Sequence, residues 1–236
     1  MPIDRAVILA AGRGTRMGAI TEAVPKPMLP VGGRPILEHI LERLTTAGVS
    51  KFLIVVGYQR EVIENHFHGS PFDTQFVTQE PVNGTGSAAL LAREFAADNP
   101  FLLTFGDILC SPDEYTRAIN SLAADTQCVL AVKAVDDPWQ GAAVYEESGR
   151  ITRIIEKPPK GTSATQWNSA GFYCFRPVVF QYLAHLKPTV RNEYELTSAV
   201  DAMLASGLQL KISPIEGEWR DVGRPEDLDA VNSKLS

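Results

Sequence analysis

Cysteine, histidine and long apolar runs are all scarce in this chain, and each shortage removes a class of function. The three cysteines, Cys110, Cys128 and Cys174, are too widely spaced for a metal knuckle and sit in apolar runs, so they read as reduced core thiols and not as a disulfide framework. Of the four histidines, His66 and His68 flank Phe67 without partners at zinc spacing, and His39 and His185 fall on helix faces. No window is long and apolar enough to span a bilayer, and glycines and arginines interrupt the N-terminal apolar stretch where a secretory leader needs continuity. Positive charge is also in deficit. Twenty-two Lys plus Arg against 28 Asp plus Glu give a net charge of −6, so the surface as a whole repels nucleic acid and anionic lipid. These shortages predict a cytoplasmic protein with no nucleic-acid or membrane partner, in which any bound anion is held by a local site.

What is present is a globular composition: 236 residues, 44% apolar, enough to bury a large core without staples. Buried strands at residues 6–9, 52–56, 75–78 and 101–105 alternate with helical stretches at 36–46, 60–67 and 87–95, a βαβ rhythm. In the first of these helices Ile36, Leu37, Ile40, Leu41 and Leu44 share one face, with Pro35 at the start and Gly48 past the end. The texture changes from residue 127. Strands are expected at 128–135, across 142–158 with a hairpin turn at Glu147-Ser148-Gly149-Arg150, and at 169–175. Helices at 178–186 and 194–205, a strand at 208–212 and a last helix from Pro225 complete the chain. The pattern predicts an α/β fold: a Rossmann-like, mostly parallel mixed sheet with helices on both faces and a small β-rich lobe. No linker or repeat divides the chain, so one domain over 1–236 is expected, in two halves, 1–125 and 126–236.

The strongest local signal follows the first strand: Leu9-Ala10-Ala11-Gly12-Arg13-Gly14-Thr15-Arg16-Met17-Gly18. Small residues there let backbone N–H groups approach a phosphate chain. The spacing is neither that of the dinucleotide fingerprint, because Met17 stands where a third glycine is needed, nor that of a Walker loop, because Gly-Lys-Ser/Thr is absent. A nicotinamide dehydrogenase is excluded by the same spacing and by the missing acidic residue after the second strand. Arg16 and Lys26 are placed to clamp a triphosphate, with Lys26 biased to an extended backbone by the proline after it. Asp107 lies just beyond a buried strand, where open α/β sheets bind ligands. Taken singly, Arg16 and Lys26 are ordinary solvated charges, Asp107 and Asp221 ordinary turn or cap residues, and Glu156-Lys157 a surface pair. Their joint occurrence carries the argument.

The opening segment, continued by PKPMLPVGGRPILEHIL, resembles the signature of the sugar-1-phosphate nucleotidylyltransferases, the nucleoside-diphosphate-sugar pyrophosphorylases. The resemblance runs on through Gln79 with Asn83-Gly84-Thr85-Gly86, Phe105-Gly106-Asp107, Glu156-Lys157-Pro158, the stretch 168–173, and Trp219-Arg220-Asp221-Val222-Gly223. It implies a glycosyltransferase-A-like fold with a nucleotide-binding first half and a second half holding the sugar and the second metal ligand. It also implies that Leu9, Ala10, Ala11, Gly12, Gly14 and Thr15 hold the nucleotide, that Gln79, Gly84 and Thr85 form the base-reading edge, and that Arg16, Lys26 and Lys157 are the catalytic cations. Asp107 and Asp221 would hold Mg²⁺, for which hard oxygen ligands are suited. Gly141, Glu156 and Asn168 would face the sugar, although Ser169 stands two residues before the strand's glycine, where relatives commonly carry the asparagine. Residues 191–196 precede a helix whose dipole suits nearby acids, and their Glu193 and Glu195 match an acidic block that lies near the sugar in relatives. The last motif ends close to the C-terminus, so the hexapeptide-repeat domain and acetyl transfer of bifunctional relatives are not expected.

The chemistry agrees with these residues. Joining a nucleoside triphosphate to a phosphate monoester brings two polyanions together, so the site must neutralise their repulsion before an in-line displacement at the α-phosphorus. The attacking phosphate oxygen is already ionised, so no general base is needed. The expected function is nucleotidyl transfer from an NTP, with UTP or dTTP favoured and CTP possible, to a sugar 1-phosphate. Transfer to a small phosphorylated alcohol such as phosphocholine or inositol phosphate, and a non-catalytic nucleotide-sugar sensor, remain as alternatives.

Overall fold

The computed structural model describes residues 2–233. Thirteen strands form among them: β1 (Arg5–Leu9), β2 (Pro30–Val31), β3 (Arg34–Pro35), β4 (Lys51–Val56), β5 (Asp73–Thr78), β6 (Phe101–Phe105), β7 (Ile108–Cys110), β8 (Cys128–Ala134), β9 (Ala142–Glu147), β10 (Arg150–Glu156), β11 (Trp167–Phe175), β12 (Leu210–Pro214) and β13 (Trp219–Asp221). The helices are α1 (Ile20–Ala23), α2 (Ile36–Thr46), α3 (Arg60–Phe67), α4 (Thr85–Leu90), α5 (Arg93–Ala96), α6 (Pro112–Asn120), α7 (Val179–Leu183), α8 (Leu196–Ala205) and α9 (Pro225–Asn232). None is long and apolar enough to cross a membrane among the described residues.

Nine strands make one mixed sheet in the order β5-β4-β1-β6-β11-β8-β12-β10-β9. The parallel pairings are β5–β4, β4–β1, β1–β6 and β8–β12, whereas β11 runs antiparallel to both β6 and β8, and β9–β10 is an antiparallel hairpin. Parallel character therefore belongs mainly to the first half. Side chains alternate across the sheet as period-two strands require. Ala6 and Ile8 join the core under α2, α3 and α6, while Val7 joins the core under α4, α7 and α8. Helices thus cover both faces, and α2 buries the five apolar residues that its periodicity marks.

The hairpin turn falls where the sequence places it: Ser148 and Gly149 both have positive φ (52° and 78°), the pair a two-residue primed turn needs. The three cysteines are buried and unpaired. Other expectations are corrected. The helix expected at 87–95 is split into α4 and α5, and the strand at 208–212 is displaced to β12. Helix α6 has no counterpart in the periodicity, although Ser111 followed by Pro112 and two acids is a helix-start signal. Its two buried anchors, Tyr115 and Ala118, are too few to register as an apolar face.

Strand β11 carries the main irregularity. Ser169 pairs with Val132 but Tyr173 with Leu130, so the strand bulges between them, and Trp219 Nε1 donates to the freed Ala170 carbonyl at 2.8 Å. Gly171 sits in the bulge at φ +82°, where a Cβ would lie 2.8 Å from the Ile108 side chain. Gly171→Ala is therefore expected to destabilise the fold by about 1–3 kcal/mol, read as a lowered urea midpoint with an unchanged slope.

Candidate active site

One cleft of ≈ 530 Å³ opens at the C-terminal ends of β1 and β6, and all seventeen site residues expected from the sequence line it, from Leu9, Ala10, Ala11 and Gly12 at one end to Asn168 at the other. Its floor is set by the sheet. β1 stops at Leu9, Ala10 N donates to Val55 O (2.8 Å), and Gly106 N donates to Leu9 O (2.9 Å), so the glycine loop leaves between β4 and β6. The N–H groups of Gly12, Arg13 and Gly14 donate to no acceptor among the described residues. Such unused donors on a bent backbone form an anion cradle.

Beside that cradle stands Lys26, 7% exposed, whose Nζ pairs with the Asp107 carboxylate. Lys26 is not extended as its proline neighbour suggests. It opens a 3₁₀ turn over Lys26–Met28, closed by Met28 N donating to Pro25 O at 2.8 Å; Pro27 occupies a position where its missing N–H costs nothing. Asp107 reaches Asp221, 114 positions away, through the antiparallel ribbon β7–β13, in which Asp221 pairs with Ile108 and Val222 N donates to Asp107 O at 3.0 Å.

Asp221 opens to the cleft, yet its carboxyl is pushed up to about 6 by lost hydration between the cleft walls and by the charge of Asp107, against the pull of Lys26 and Arg16. Arg16 makes no hydrogen bond or ion pair among the described residues, leaving its guanidinium available to a ligand. The two carboxylates of Asp107 and Asp221 are hard oxygen donors that could hold a hard cation whose shell phosphate and water oxygens would complete. Mg²⁺ is such an ion.

Further along the cleft Gln79 is 5% exposed. Its Nε2 donates to Gly84 O and Ser87 Oγ, each at 2.9 Å, which fixes the amide while Oε1 accepts no hydrogen bond from a described residue. The adjoining loop is tied to the second half of the chain: Tyr194 N donates to Asn83 O (2.9 Å), Gly86 N to Tyr194 O (2.7 Å) and Leu196 N to Thr85 Oγ1 (3.0 Å).

At the opposite end Lys157, at φ 44°, follows Glu156 on the end of β10, and its N–H donates to Gly141 O at 2.7 Å. Burial raises the Glu156 pKa and Glu195 adds to the rise, while Arg191, Thr197 and Lys157 oppose it. Gly141 abuts Asn168 so closely that a Cβ would lie 2.3 Å from Asn168 Oδ1; Asn168 Nδ2 donates to Ser169 O, and the Ser169 hydroxyl meets Tyr173 OH at 3.1 Å. Glu193 and Glu195 also line the cleft. They precede α8, with Glu195 at its N-cap, and the Glu195 carboxylate is met by Thr189 Oγ1 (2.7 Å) and Arg191 (2.8 Å). Arg191 and Thr197 are cleft residues that the sequence reasoning did not single out. The signal for Arg191 was a lone cation inside the acidic block 191–195.

Residues 5–236 match the nucleotidyl transferase family. The chain belongs to that family. Among its curated members it is 36% identical over 231 residues to the bifunctional protein GlmU of Methanococcus aeolicus, covering 98% of this chain and 54% of that one. It is 34% identical over 241 residues to the UTP–glucose-1-phosphate uridylyltransferase AglF of Haloferax volcanii, covering 98% and 96%. The chain thus spans about half the length of the GlmU proteins that it matches. Its fold superposes on that of a UDP-glucose pyrophosphorylase crystallised with UDP-glucose at a TM-score of 0.86, with 22% identity and 98% of each chain covered. The resemblance to sugar-1-phosphate nucleotidylyltransferases and the mixed α/β fold it implied both hold.

The Asp221 carboxyl gives a pH signature. Its folded pKa lies above the unfolded value, so the folded state binds more protons between about pH 4 and 6, and Asp221 progressively destabilises the metal-free protein as pH rises through that window. Asp221→Asn is expected to raise the melting temperature of chelator-treated protein at pH 8, with the gain vanishing below about pH 4. Melting curves across pH check it; an equal gain at every pH would mean that the carboxylate is not strained.

Proposed function

We propose that this protein transfers a nucleotidyl group from an NTP, UTP or dTTP before CTP, to a sugar 1-phosphate and releases pyrophosphate. The observation that carries this reading is the convergence, in one cleft, of Lys26 and the carboxylates of Asp107 and Asp221 beside unused backbone donors, with Lys157 and Glu156 at the other end.

In this reading the N–H groups of Gly12, Arg13 and Gly14, with Arg16, hold the β- and γ-phosphates, and Lys26 offsets charge on the α-phosphate. Asp107 and Asp221 would hold Mg²⁺, which when bound would supply charge neutralisation to the phosphates. Lys157 holds the acceptor's phosphate with one oxygen in line with the bond to pyrophosphate. That oxygen forms a new bond to the α-phosphorus as the α–β bridging bond breaks, and the electron pair leaves with pyrophosphate. No proton moves, because the attacking oxygen is already ionised. Glu156 accepts a sugar hydroxyl hydrogen bond, and the contact between Asn168 and Gly141 shapes the wall beside it.

The free Oε1 of Gln79 supports uracil or thymine over cytosine. Either of the first two offers an N3–H donor to that oxygen, while cytosine, with an unprotonated N3, would have to shift to offer its 4-amino group instead. The division of labour between residues 1–125 and 126–236 belongs to the same proposal: nucleotide on one side, sugar and second metal carboxylate on the other.

A matrix of four NTPs against several sugar 1-phosphates, with pyrophosphate detection, tests the reading. Turnover is expected with at least one pair containing UTP or dTTP, and Mg²⁺-supplemented protein that turns over none, phosphocholine and inositol phosphate included, would sink it. On the productive pair, Lys26→Met is expected to cut kcat by roughly 10²–10³. Lys157→Met is expected to raise the KM for the sugar phosphate at least about tenfold, the order of one lost charge-assisted hydrogen bond, with little change in the KM for the NTP.

A further inference from the structure

Glu114 lies outside the cleft. It stands on α6, is 2% exposed, and yet carries a charge that burial makes costly unless every lone pair finds a donor. Its Oε1 accepts the backbone N–H of Gly217 at 2.7 Å and of Glu216 at 3.3 Å, and its Oε2 accepts from Arg117 Nη1 at 2.6 Å. Arg117 in turn pairs with Glu216 at 3.1 Å. The carboxylate is therefore committed to the loop at 216–218, which leads directly into β13.

That strand ends on Asp221. Both β13 and its partner β7 are three residues long, and a two-stranded ribbon of that size has little stability of its own. The Asp221 carboxylate accepts no hydrogen bond from a described residue, so the hydrogen bonds that place it are those of its backbone. Downstream the backbone is held by Val222 N to Asp107 O and by Asp227 Oδ2, which accepts from Gly223 N (3.1 Å) and Arg224 N (2.8 Å). Upstream it is held by Glu114 and by Ser111 N donating to Glu218 O at 3.0 Å.

We propose that Glu114 is a positioning residue for the metal carboxylate Asp221: by accepting the Gly217 and Glu216 N–H groups it fixes the register at which β13 sets Asp221 opposite Asp107. The proposal rests on the assignment of Asp107 and Asp221 to the metal. Its action is remote, transmitted through backbone, and concerns metal affinity more than sugar or base recognition.

The test is Mn²⁺ titration of the full chain followed by electron paramagnetic resonance, together with the Mg²⁺ dependence of turnover. Glu114→Ala is expected to weaken Mn²⁺ binding and raise the Mg²⁺ requirement about tenfold, the usual effect of removing an outer-shell partner, with the sugar-phosphate KM unchanged at saturating Mg²⁺. Glu114→Gln, which keeps an acceptor for Gly217, is expected to stay within about threefold of wild type. If Glu114→Ala does not fold, Gly217→Ala, whose Cβ would lie 3.0 Å from Glu114 Oε1, is expected to shift both metal readouts in the same direction. A lowered melting temperature with unchanged Mn²⁺ binding, or a Gln variant as impaired as the Ala variant, would overturn the proposal. Asp221→Asn separates the two failures: if it leaves Mn²⁺ binding intact the metal assignment falls, whereas if it abolishes binding while Glu114→Ala changes nothing, only the positioning role falls.

Discussion

Like charges brought close together set the terms for this cleft. Two unit charges 4 Å apart repel by about 4 kcal/mol at the effective dielectric typical of a protein surface, and the reaction proposed here packs an oligophosphate, a phosphate monoester and two carboxylates into one volume. A chain with a net charge of −6 cannot offer a generally attractive surface. It concentrates compensation locally instead: Lys26 buried against Asp107, Arg16 unpaired beside Asp221, Lys157 across the cleft, and N–H groups of the glycine loop left without protein acceptors.

The sheet delivers these groups to one place. β1 and β6 end side by side, so the glycine loop and Asp107 emerge at the same edge, and the short ribbon β7–β13 returns Asp221 from far along the chain. Asp107 is paired with Lys26, and burial together with the charge of Asp107 raises the Asp221 pKa. A raised carboxylate pKa at the proposed cation site is what charges arranged for a ligand outside the chain would produce.

Local physics made much of this legible in the sequence. Helix α2 announces itself through apolar spacing, the hairpin through Ser148-Gly149, and the phosphate cradle through small residues after a buried strand. What escaped depends on contacts between distant segments. Lys26 adopts a tight turn because Pro25 and Met28 close it, overriding the bias from Pro27. Helix α6 buries only a few residues, and β7 and β13 are too short for periodicity to register. Glu195 at the start of α8 pairs with Arg191, a contact visible only once the loop at 189–195 is folded. The carboxylate pair itself was reached through family resemblance, since nothing local links positions 107 and 221.

The backbone stitches between residues 83–86 and 194–196 bear on how such a protein diversifies. Because the segment proposed to lie beside the base and the segment proposed to lie beside the sugar share main-chain hydrogen bonds, specificity for one substrate would not be a detachable module. A chimera that took residues 1–125 from one relative and the remainder from another would inherit a seam at its centre, and would work only if both parents kept the same spacing across Asn83, Gly86, Tyr194 and Leu196.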